Sequence, residues 1–388
     1  MGIMTPLAPE EEQHSRTVAQ MIRARIAEAG GWLPFDAFME LALYAPGLGY
    51  YSAGGVKLGA GGDFTTAPEL SDLYSSCVAR QCAEILTRTG GSILEVGAGT
   101  GRMAGVILQT LQSLGMTPER YAILEVSADL RARQQQRLSG LPQVLCERVI
   151  WLDHLPQAPW RGVILANEVL DALPCERFVI RDENVHALGV SVARTGRFFE
   201  SEWPADAALT SEVAAISAAL LQPLPAGYRS ELCLRVGPWI AGVAQSLERG
   251  ALLLFDYGLP RAHYYHPQRA SGTLLCHFKQ RAHDDPYVNV GIQDITAWVD
   301  FTRVAEAADA VGLQVRGFTT QAGFLLGTGI EELIGEPADT VVRARLAGEA
   351  RQLLMPDQMG EIFKAMALTR DLDIPLAGFA VQDLRQQL

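Results

Sequence analysis

Short apolar runs separated by helical patterns dominate the chain after residue 90. Their length suits buried strands, and the glycines and polar residues that follow them suit turns. The runs occupy residues 92–96, 121–126, 163–166, 251–255, 314–318 and 363–369. Because helical patterns such as that of residues 103–114 lie between them, we expect an α/β fold with a mostly parallel sheet that helices cover on both faces.

The first 90 residues have a different pattern. Apolar side chains at helical spacing predict a helix over 14–29, which ends at Gly30 and Gly31, and a second helix is expected over 35–43. Seven glycines between residues 47 and 62 then preclude regular structure, and long ordered loops are often functional. We predict an N-terminal helical region with a glycine-rich loop, residues 1–90.

The α/β domain, residues 91–388, is interrupted twice. Residues 175–203 alternate polar and apolar side chains around turns, which predicts antiparallel strands within an insertion of about 175–245. Residues 259–300 are rich in His, Tyr, Gly and Pro and predict a second insertion, an ordered excursion. Helical sequence over 329–354 separates the last two strands.

Composition restricts the class of protein. The 388 residues are 48% hydrophobic and 20% charged, as in soluble globular proteins, and the net charge of −12 argues against nucleic acid as a partner. No apolar run approaches the roughly 20 residues of a membrane-spanning helix, so membrane insertion is not expected. An acidic N-terminus without an apolar run indicates a cytoplasmic protein. Six scattered cysteines argue against disulfides and structural zinc.

The sharpest local motif is the glycine-rich stretch after the first strand. Glu95, Gly97, Ala98, Gly99 and Gly101 lie between a predicted strand and a predicted helix. Glycines allow a sharp turn and close backbone approach to a ligand, and the helix N-terminus offers unpaired N–H groups. A plain turn between strand and helix has the same glycines, so the motif alone is weak.

An acidic residue at the end of the second strand strengthens the motif. Glu125 lies 26 positions after Gly99, where a carboxylate can accept hydrogen bonds from both ribose hydroxyls. A dinucleotide fingerprint would have its third glycine at position 102, which is Arg102. The pattern E-x-G-x-G-x-G is instead typical of S-adenosylmethionine-dependent methyltransferases, so we predict this cofactor rather than a nicotinamide.

Polar residues also follow the next strand. Asn167, Glu168 and Asp171 come after the run 163–166, and Asp256 follows the run 251–255. Ligands of open α/β sheets bind at the carboxyl ends of strands, which makes these residues candidates for cofactor and substrate contacts. Each of them also suits a turn or a helix cap.

The glycine-rich loop ends in a further polar group. Thr66, Pro68 and Glu69 suit the start of a helix, with Thr66 as its cap. Asp63, Thr65, Thr66 and Glu69 together also suit a lid over a cofactor cleft. We take Thr66 and Pro68 as candidate cofactor contacts and Glu69 as a candidate catalytic residue.

Seven motifs occur in an order that resembles the MidA-like family of class I methyltransferases, which includes the mitochondrial arginine methyltransferase of complex I assembly. The motifs are GDFTTAPE, ILEVGAGTG, ANEVLDALP, FDYG, GTLLCHF through DITAWVDF, QAGFLLG and MGEIFKAM. The resemblance covers nearly the whole chain. It implies a Rossmann-like seven-stranded sheet, S-adenosylmethionine as methyl donor, and a protein arginine, such as one in a respiratory complex subunit, as acceptor.

The resemblance also implies roles for individual residues. Gly97, Gly99 and Gly101 would line the methionine moiety, Glu125 the ribose, and residues 167–171 the region of the sulfonium. Chemistry adds that a guanidinium, with its fixed fork of donors and no acceptor, needs carboxylates to align it. Glu168, Asp171, Glu69 and Asp63 are the candidates, with Glu168 as the first choice.

Other functions remain open from the sequence. One alternative is a non-catalytic assembly factor that binds S-adenosylmethionine and a partner protein, and another is a nicotinamide oxidoreductase. Four histidines between residues 263 and 283 match no metal-ligand spacing, so no metal is expected. The N-terminal segment serves either as a lid or as a contact in a homodimer.

Overall fold

The structure is a computed structural model that describes residues 6–54, 65–182, 184–335 and 337–388. Contacts divide the chain into two compact units. The first unit comprises Met1–Phe64, Asp171–Val236 and Leu259–Asp300, and the second comprises Thr65–Leu170, Gly237–Gly258 and Phe301–Leu388. The predicted N-terminal region, 1–90, is thus divided after residue 64, and most of both predicted insertions belongs to the first unit.

The helices and strands of the described residues are numbered in chain order. The helices are α1 (Pro9–Glu28), α2 (Phe35–Tyr44), α3 (Ala67–Leu70), α4 (Asp72–Thr89), α5 (Arg102–Ser113), α6 (Ala128–Leu138), α7 (Gln143–Cys146), α8 (Ala207–Ala219), α9 (Val236–Ser246), α10 (Arg261–Tyr264), α11 (Phe301–Ala310), α12 (Gln321–Gly327), α13 (Ile330–Gly335) and α14 (Thr340–Leu354). The strands are β1 (Leu33–Pro34), β2 (Ser92–Val96), β3 (Tyr121–Leu124), β4 (Val149–Leu152), β5 (Trp160–Asn167), β6 (Glu176–Arg181), β7 (Asn184–Val192), β8 (Phe198–Pro204), β9 (Arg229–Leu232), β10 (Leu247–Leu259), β11 (Leu275–Phe278), β12 (Arg281–His283), β13 (Asp294–Thr296), β14 (Val299–Asp300), β15 (Gln314–Thr320) and β16 (Phe363–Arg370).

Seven strands of the second unit follow one path in the order β15, β16, β10, β5, β2, β3, β4. All neighbouring pairs are parallel except those of β16, which runs antiparallel to both β10 and β15. This arrangement confirms the predicted Rossmann-like methyltransferase sheet. The register pairs Val96 with Leu124 and Phe255 with Asn167, so the carboxyl ends of the parallel strands share one edge.

One apolar core holds the second unit together. The strand residues Ile93, Ile123 and Leu165 are fully buried, and so are Cys77 and Val78 of α4. Burial on both faces explains why these strands are continuous apolar runs rather than alternating ones. The strand β4 was not predicted, because it has only four residues and three of them are only partly buried.

The first unit contains an antiparallel sheet in the order β1, β7, β6, β9, with β8 paired to β7. The strands β6, β7 and β8 confirm the antiparallel strands predicted over 175–203. A smaller sheet orders β12, β11 and β13 within the second insertion. The helices predicted over 14–29 and 35–43 are α1 and α2. Helix α1 begins earlier than predicted, at Pro9, because proline suits the first position of a helix.

Candidate active site

Three glycines turn the chain between β2 and α5. Gly97, Gly99 and Gly101 have φ angles of 69°, 52° and 80°. This is the left-handed region, which costs an L-residue with a side chain roughly 1–2 kcal/mol. The backbone N–H of Gly97 donates to the carbonyl of Leu124 over 3.0 Å, which ties the turn to the end of β3. The motif therefore forms the predicted strand, turn and helix, with the free N–H groups of α5 beyond it.

Glu125 is held beside this turn by a buried glutamine. The Gln134 amide nitrogen donates to Glu125 Oε2 and to the Gly99 carbonyl, each over 2.9 Å. Trp151 donates its ring N–H to the Gln134 carbonyl oxygen over 3.0 Å, so the amide orientation is fixed. The second Glu125 oxygen accepts the Ser127 backbone N–H over 2.9 Å. The predicted ribose carboxylate is thus preorganised next to the glycine turn.

Glu95 lies within the protein interior. Its side chain is 1% exposed, and the Tyr121 hydroxyl donates to Glu95 Oε2 over 2.7 Å. Burial raises the pKa of Glu95 to about 7, although the Tyr121 hydrogen bond lowers it. Its neighbour Ala98 in the turn is also buried. Direct cofactor contacts of Glu95 and Ala98 stay predictions.

Asn167 and Glu168 end strand β5 in a strained turn. Glu168 has a φ angle of 52°, which is uncommon for a residue with a side chain. Its backbone N–H donates to the Phe255 carbonyl over 2.8 Å, and Asn167 Nδ2 donates to Glu168 Oε1 over 3.1 Å. The buried hydroxyl of Tyr74 donates to Asn167 Oδ1 over 2.6 Å. The first-choice catalytic carboxylate therefore has a defined orientation.

Glu69 is bound to the glycine turn. Its carboxylate accepts the Thr100 hydroxyl, and Arg102 donates to its backbone carbonyl. Thr66 is the N-cap residue of α3 without a side-chain capping bond, and Pro68 is buried in the first turn of that helix. The structure thus places Glu69 as a link between α3 and the glycine turn, and its catalytic role stays a prediction.

Asp171 and Asp63 are the other two predicted acidic residues. Asp171 is a buried residue of the first unit. Burial is the main cause that raises the pKa of Tyr44 and Tyr51, and the negative charges of Asp294 and Asp171 raise it further. Tyr51 donates its hydroxyl to Asp294 Oδ1 over 2.9 Å. Asp63 lies outside the described residues.

Sequence reasoning overlooked Tyr74 and Gln134. Gln134 lies four residues after Leu130 and four before Leu138, so it shares the buried face of α6 with these two leucines. A polar residue at an apolar position of this helical pattern could have marked it as a candidate. Tyr74 had no such signal, because aromatic residues on a buried helix face are ordinary. Among the described residues, no cluster of three metal-ligand side chains occurs and no helix is long and apolar enough to cross a membrane.

The residues of the turn suit S-adenosylmethionine. The left-handed glycines leave the backbone open to close approach, and a Cβ on Gly97 would already lie 3.4 Å from Val169 Cγ2. Glu125 offers carboxylate oxygens for ribose hydroxyls at the end of the adjacent strand. Position 102, where a dinucleotide-binding turn would have its third glycine, is an arginine. This agrees with a cofactor that has no pyrophosphate.

Comparison with known proteins agrees with this geometry. The family described as putative S-adenosyl-L-methionine-dependent methyltransferase matches residues 77–319, more than half of the chain. Mitochondrial protein arginine methyltransferase NDUFAF7 of Danio rerio is 27% identical, over 92% of this chain and 91% of its own length. The NDUFAF7 homolog of Drosophila melanogaster is 28% identical, over 94% and 89%.

A solved structure extends the likeness to the whole chain. A protein from Burkholderia thailandensis, described as a likely methyl transferase and crystallised with S-adenosyl-homocysteine, is 40% identical to this chain. The match covers 100% of both chains, with a TM-score of 0.94. The present chain therefore belongs to the S-adenosylmethionine-dependent methyltransferase family. It is a methyltransferase, and S-adenosylmethionine is its cofactor.

Proposed function

We propose that this member of the methyltransferase family methylates an arginine side chain of a protein. The observation that carries the proposal is the Glu168 carboxylate, which the Asn167 amide holds directly after the carboxyl end of β5. Ligands of open α/β sheets bind at this edge. A carboxylate fixed there suits a cationic acceptor whose reacting nitrogen must be aligned.

The chemistry of the acceptor gives the carboxylate two tasks. A guanidinium stays protonated and presents donors in a planar fork, so a carboxylate on one edge orients the fork and localises its charge. Bound S-adenosylmethionine supplies an electrophilic methyl group on sulfur. As the new N–C bond forms, the bond between the methyl group and sulfur breaks, and S-adenosyl-homocysteine leaves as a neutral thioether. The acceptor nitrogen must lose a proton, and Glu168 is the residue we assign to accept it. Orientation supplies most of the remaining rate enhancement.

The names of the relatives support the finer identity of the substrate. The NDUFAF7 proteins of fish and fly are protein arginine methyltransferases by name, and both align along nearly the whole chain. On this basis, and on the family resemblance, we propose a respiratory complex subunit as the acceptor. The net charge of −12 favours a basic segment of that protein.

The test is methyl transfer from labelled S-adenosylmethionine by the purified protein. The acceptor mixture is a lysate of a strain that lacks this protein, and mass spectrometry locates the label. We expect label on an arginine nitrogen of one or a few proteins. Label on a lysine, a carboxylate or a small molecule would contradict arginine as the acceptor.

A matched variant separates binding from transfer. Glu168→Gln keeps the size of the side chain but removes its charge, so transfer should slow by about 10²–10³-fold, as for loss of other oriented catalytic groups. Calorimetric titration should find donor affinity nearly unchanged. A folded wild-type protein that binds the donor and labels nothing would instead support a non-catalytic assembly factor.

A further inference from the structure

The hydroxyl of Tyr74 lies at the start of a chain of hydrogen bonds that ends at Glu168. Tyr74 is a fully buried residue of α4, and its ring packs edge to face against Phe255 at 5.8 Å between centroids. From there the hydroxyl donates to Asn167 Oδ1 over 2.6 Å, and Asn167 Nδ2 donates to Glu168 Oε1 over 3.1 Å. All four residues belong to the second unit.

The order of donors and acceptors makes this chain directional. An asparagine amide has an oxygen on one side and an NH₂ on the other, so a donor at the oxygen forces the NH₂ to the opposite side. The Tyr74 hydroxyl is that donor. Without it the Asn167 amide loses the partner of its oxygen, so the amide and the Glu168 carboxylate that it contacts are oriented less firmly. The buried Tyr74 hydroxyl thereby helps to orient the amide that contacts the Glu168 carboxylate.

The backbone around Glu168 is held separately. Phe255 accepts the Glu168 N–H, and the buried Asp256 carboxylate accepts the Leu170 N–H over 3.0 Å. These bonds keep Glu168 in its left-handed conformation, which would otherwise relax. Because the backbone has its own supports, loss of the Tyr74 hydroxyl should change the side chains of Asn167 and Glu168 and leave the turn in place.

We propose that Tyr74 is a positioning residue for methyl transfer, acting through the Asn167 amide on the Glu168 carboxylate. The proposal rests on the catalytic role proposed for Glu168. Tyr74 touches neither acceptor nor donor in this scheme. Burial and the nearby charges of Glu168 and Asp256 raise the pKa of Tyr74, so its hydroxyl keeps the proton that it donates.

Kinetics of single and double variants test the coupling. Tyr74→Phe removes only the hydroxyl and should lower kcat about tenfold, the effect of one buried hydrogen bond to an oriented network, while the Kd of the donor stays the same. In the Glu168→Gln background the same substitution should have little further effect, since the carboxylate it orients is gone. An equal fall in kcat in both backgrounds, or no fall in Tyr74→Phe, would overturn the proposal.

Tyr265→Phe is the matched control. Tyr265 is also buried and donates its hydroxyl to a backbone carbonyl, that of Glu231, over 3.1 Å. This variant loses a comparable hydrogen bond without a link to Glu168. We expect its kcat to match the wild-type value in both backgrounds.

A spectroscopic measurement decides the proposal independently of the acceptor. The side-chain amide signals of Asn167 are identified in ¹⁵N–¹H spectra as the pair missing from Asn167→Asp. In Tyr74→Phe this pair should shift and lose protection from hydrogen exchange, while Tyr265→Phe leaves it unchanged. If the wild-type protein methylates no arginine, the proposed function fails, and an unaltered Asn167 signal in Tyr74→Phe refutes the positioning role separately.

Discussion

Buried donors determine how the carboxylates at the ends of the strands are used. Glu125 is held by Gln134 and a backbone N–H, whereas Glu95 has a tyrosine partner in the interior. Both are glutamates next to the same glycine turn. Their surroundings nevertheless differ, because both oxygens of Glu125 are held at the end of β3 whereas Glu95 accepts a tyrosine hydroxyl in the interior.

Loss of the Glu125 carboxylate should weaken cofactor binding. Glu125→Ala removes the acceptor assigned to the ribose hydroxyls, which corresponds to about 1.5–3 kcal/mol for hydrogen bonds to a charged group, or roughly 10–100-fold in Kd. Calorimetric titration with S-adenosyl-homocysteine measures the effect. Glu119→Ala, at an exposed position just before the same strand, is the control and should bind as wild type does. Equal affinity in the two variants would move the ribose site elsewhere.

Glu95 should make stability depend on pH. The pKa of Glu95 is raised to about 7 in the folded protein from 4.5, so between these values the folded state binds more protons than the unfolded state. Stability therefore falls as the pH rises through this window. Glu95→Gln cannot ionise. The difference in free energy of unfolding between this variant and wild type should therefore shift in favour of the variant by on the order of 3 kcal/mol as the pH rises through the window.

Urea unfolding at several pH values checks this expectation. Glu176, whose pKa burial also raises to about 7, titrates in the same window in both proteins, so only the difference between wild type and Glu95→Gln reports on Glu95. Parallel curves for the two proteins would show that Glu95 keeps an ordinary pKa.

At the scale of elements, the turn between β2 and α5 depends on glycine for two reasons. Gly101 has a φ angle of 80°, and a Cβ there would lie 3.3 Å from the Cα of Gln134. An added side chain thus strains the backbone and also presses on the residue that holds Glu125. The turn and helix α6 are therefore in direct contact at this point.

Gly101→Ala should therefore reduce both stability and affinity. We expect a loss of about 1–2 kcal/mol in the free energy of unfolding from the left-handed backbone, and a weaker Kd for S-adenosyl-homocysteine because Gln134 is displaced. Gly115→Ala is the control, since Gly115 has a φ angle of 71° but open space around its Cβ position. It should lose similar stability with unchanged Kd. A Gly101→Ala protein with wild-type affinity would contradict the link to Gln134.

Elements were predictable where burial is complete. The strands β2, β5 and β10 are apolar because both of their faces are buried, and the sequence predicted all three. The short strands β4 and β9 were not predicted, because each has only four residues and pairs with partners distant along the chain. The helix α8 was also missed, although Asp206, whose carboxylate accepts the Leu209 N–H, is a local signal for its start. Among site residues, Glu125 followed from its position after a strand, while Tyr74 had no recognisable pattern.

Across the whole molecule, the acidic charge should affect encounter with a basic substrate. A net charge of −12 attracts a cationic segment over distances that salt screens. The ratio kcat/KM for a basic acceptor protein should fall severalfold as salt rises from about 50 to 300 mM, while the Kd for S-adenosyl-homocysteine changes little. Steady-state kinetics at several salt concentrations measure this, and a flat kcat/KM would argue for an acceptor recognised without its charge.

The sequence by itself determined the fold class, the glycine turn and the identity of the cofactor. All three follow from features that are local in the chain: apolar runs, glycines at left-handed positions, and the spacing between the glycine motif and the acidic residue after the next strand. Residues that are near one another in the sequence are enough to encode such features. Tertiary structure decided which side chains hold the candidate carboxylates. Tyr74 meets Asn167 across 93 positions, and Asp256 meets Leu170 across 86, so only the packing of α4 and β10 against β5 could bring these partners together.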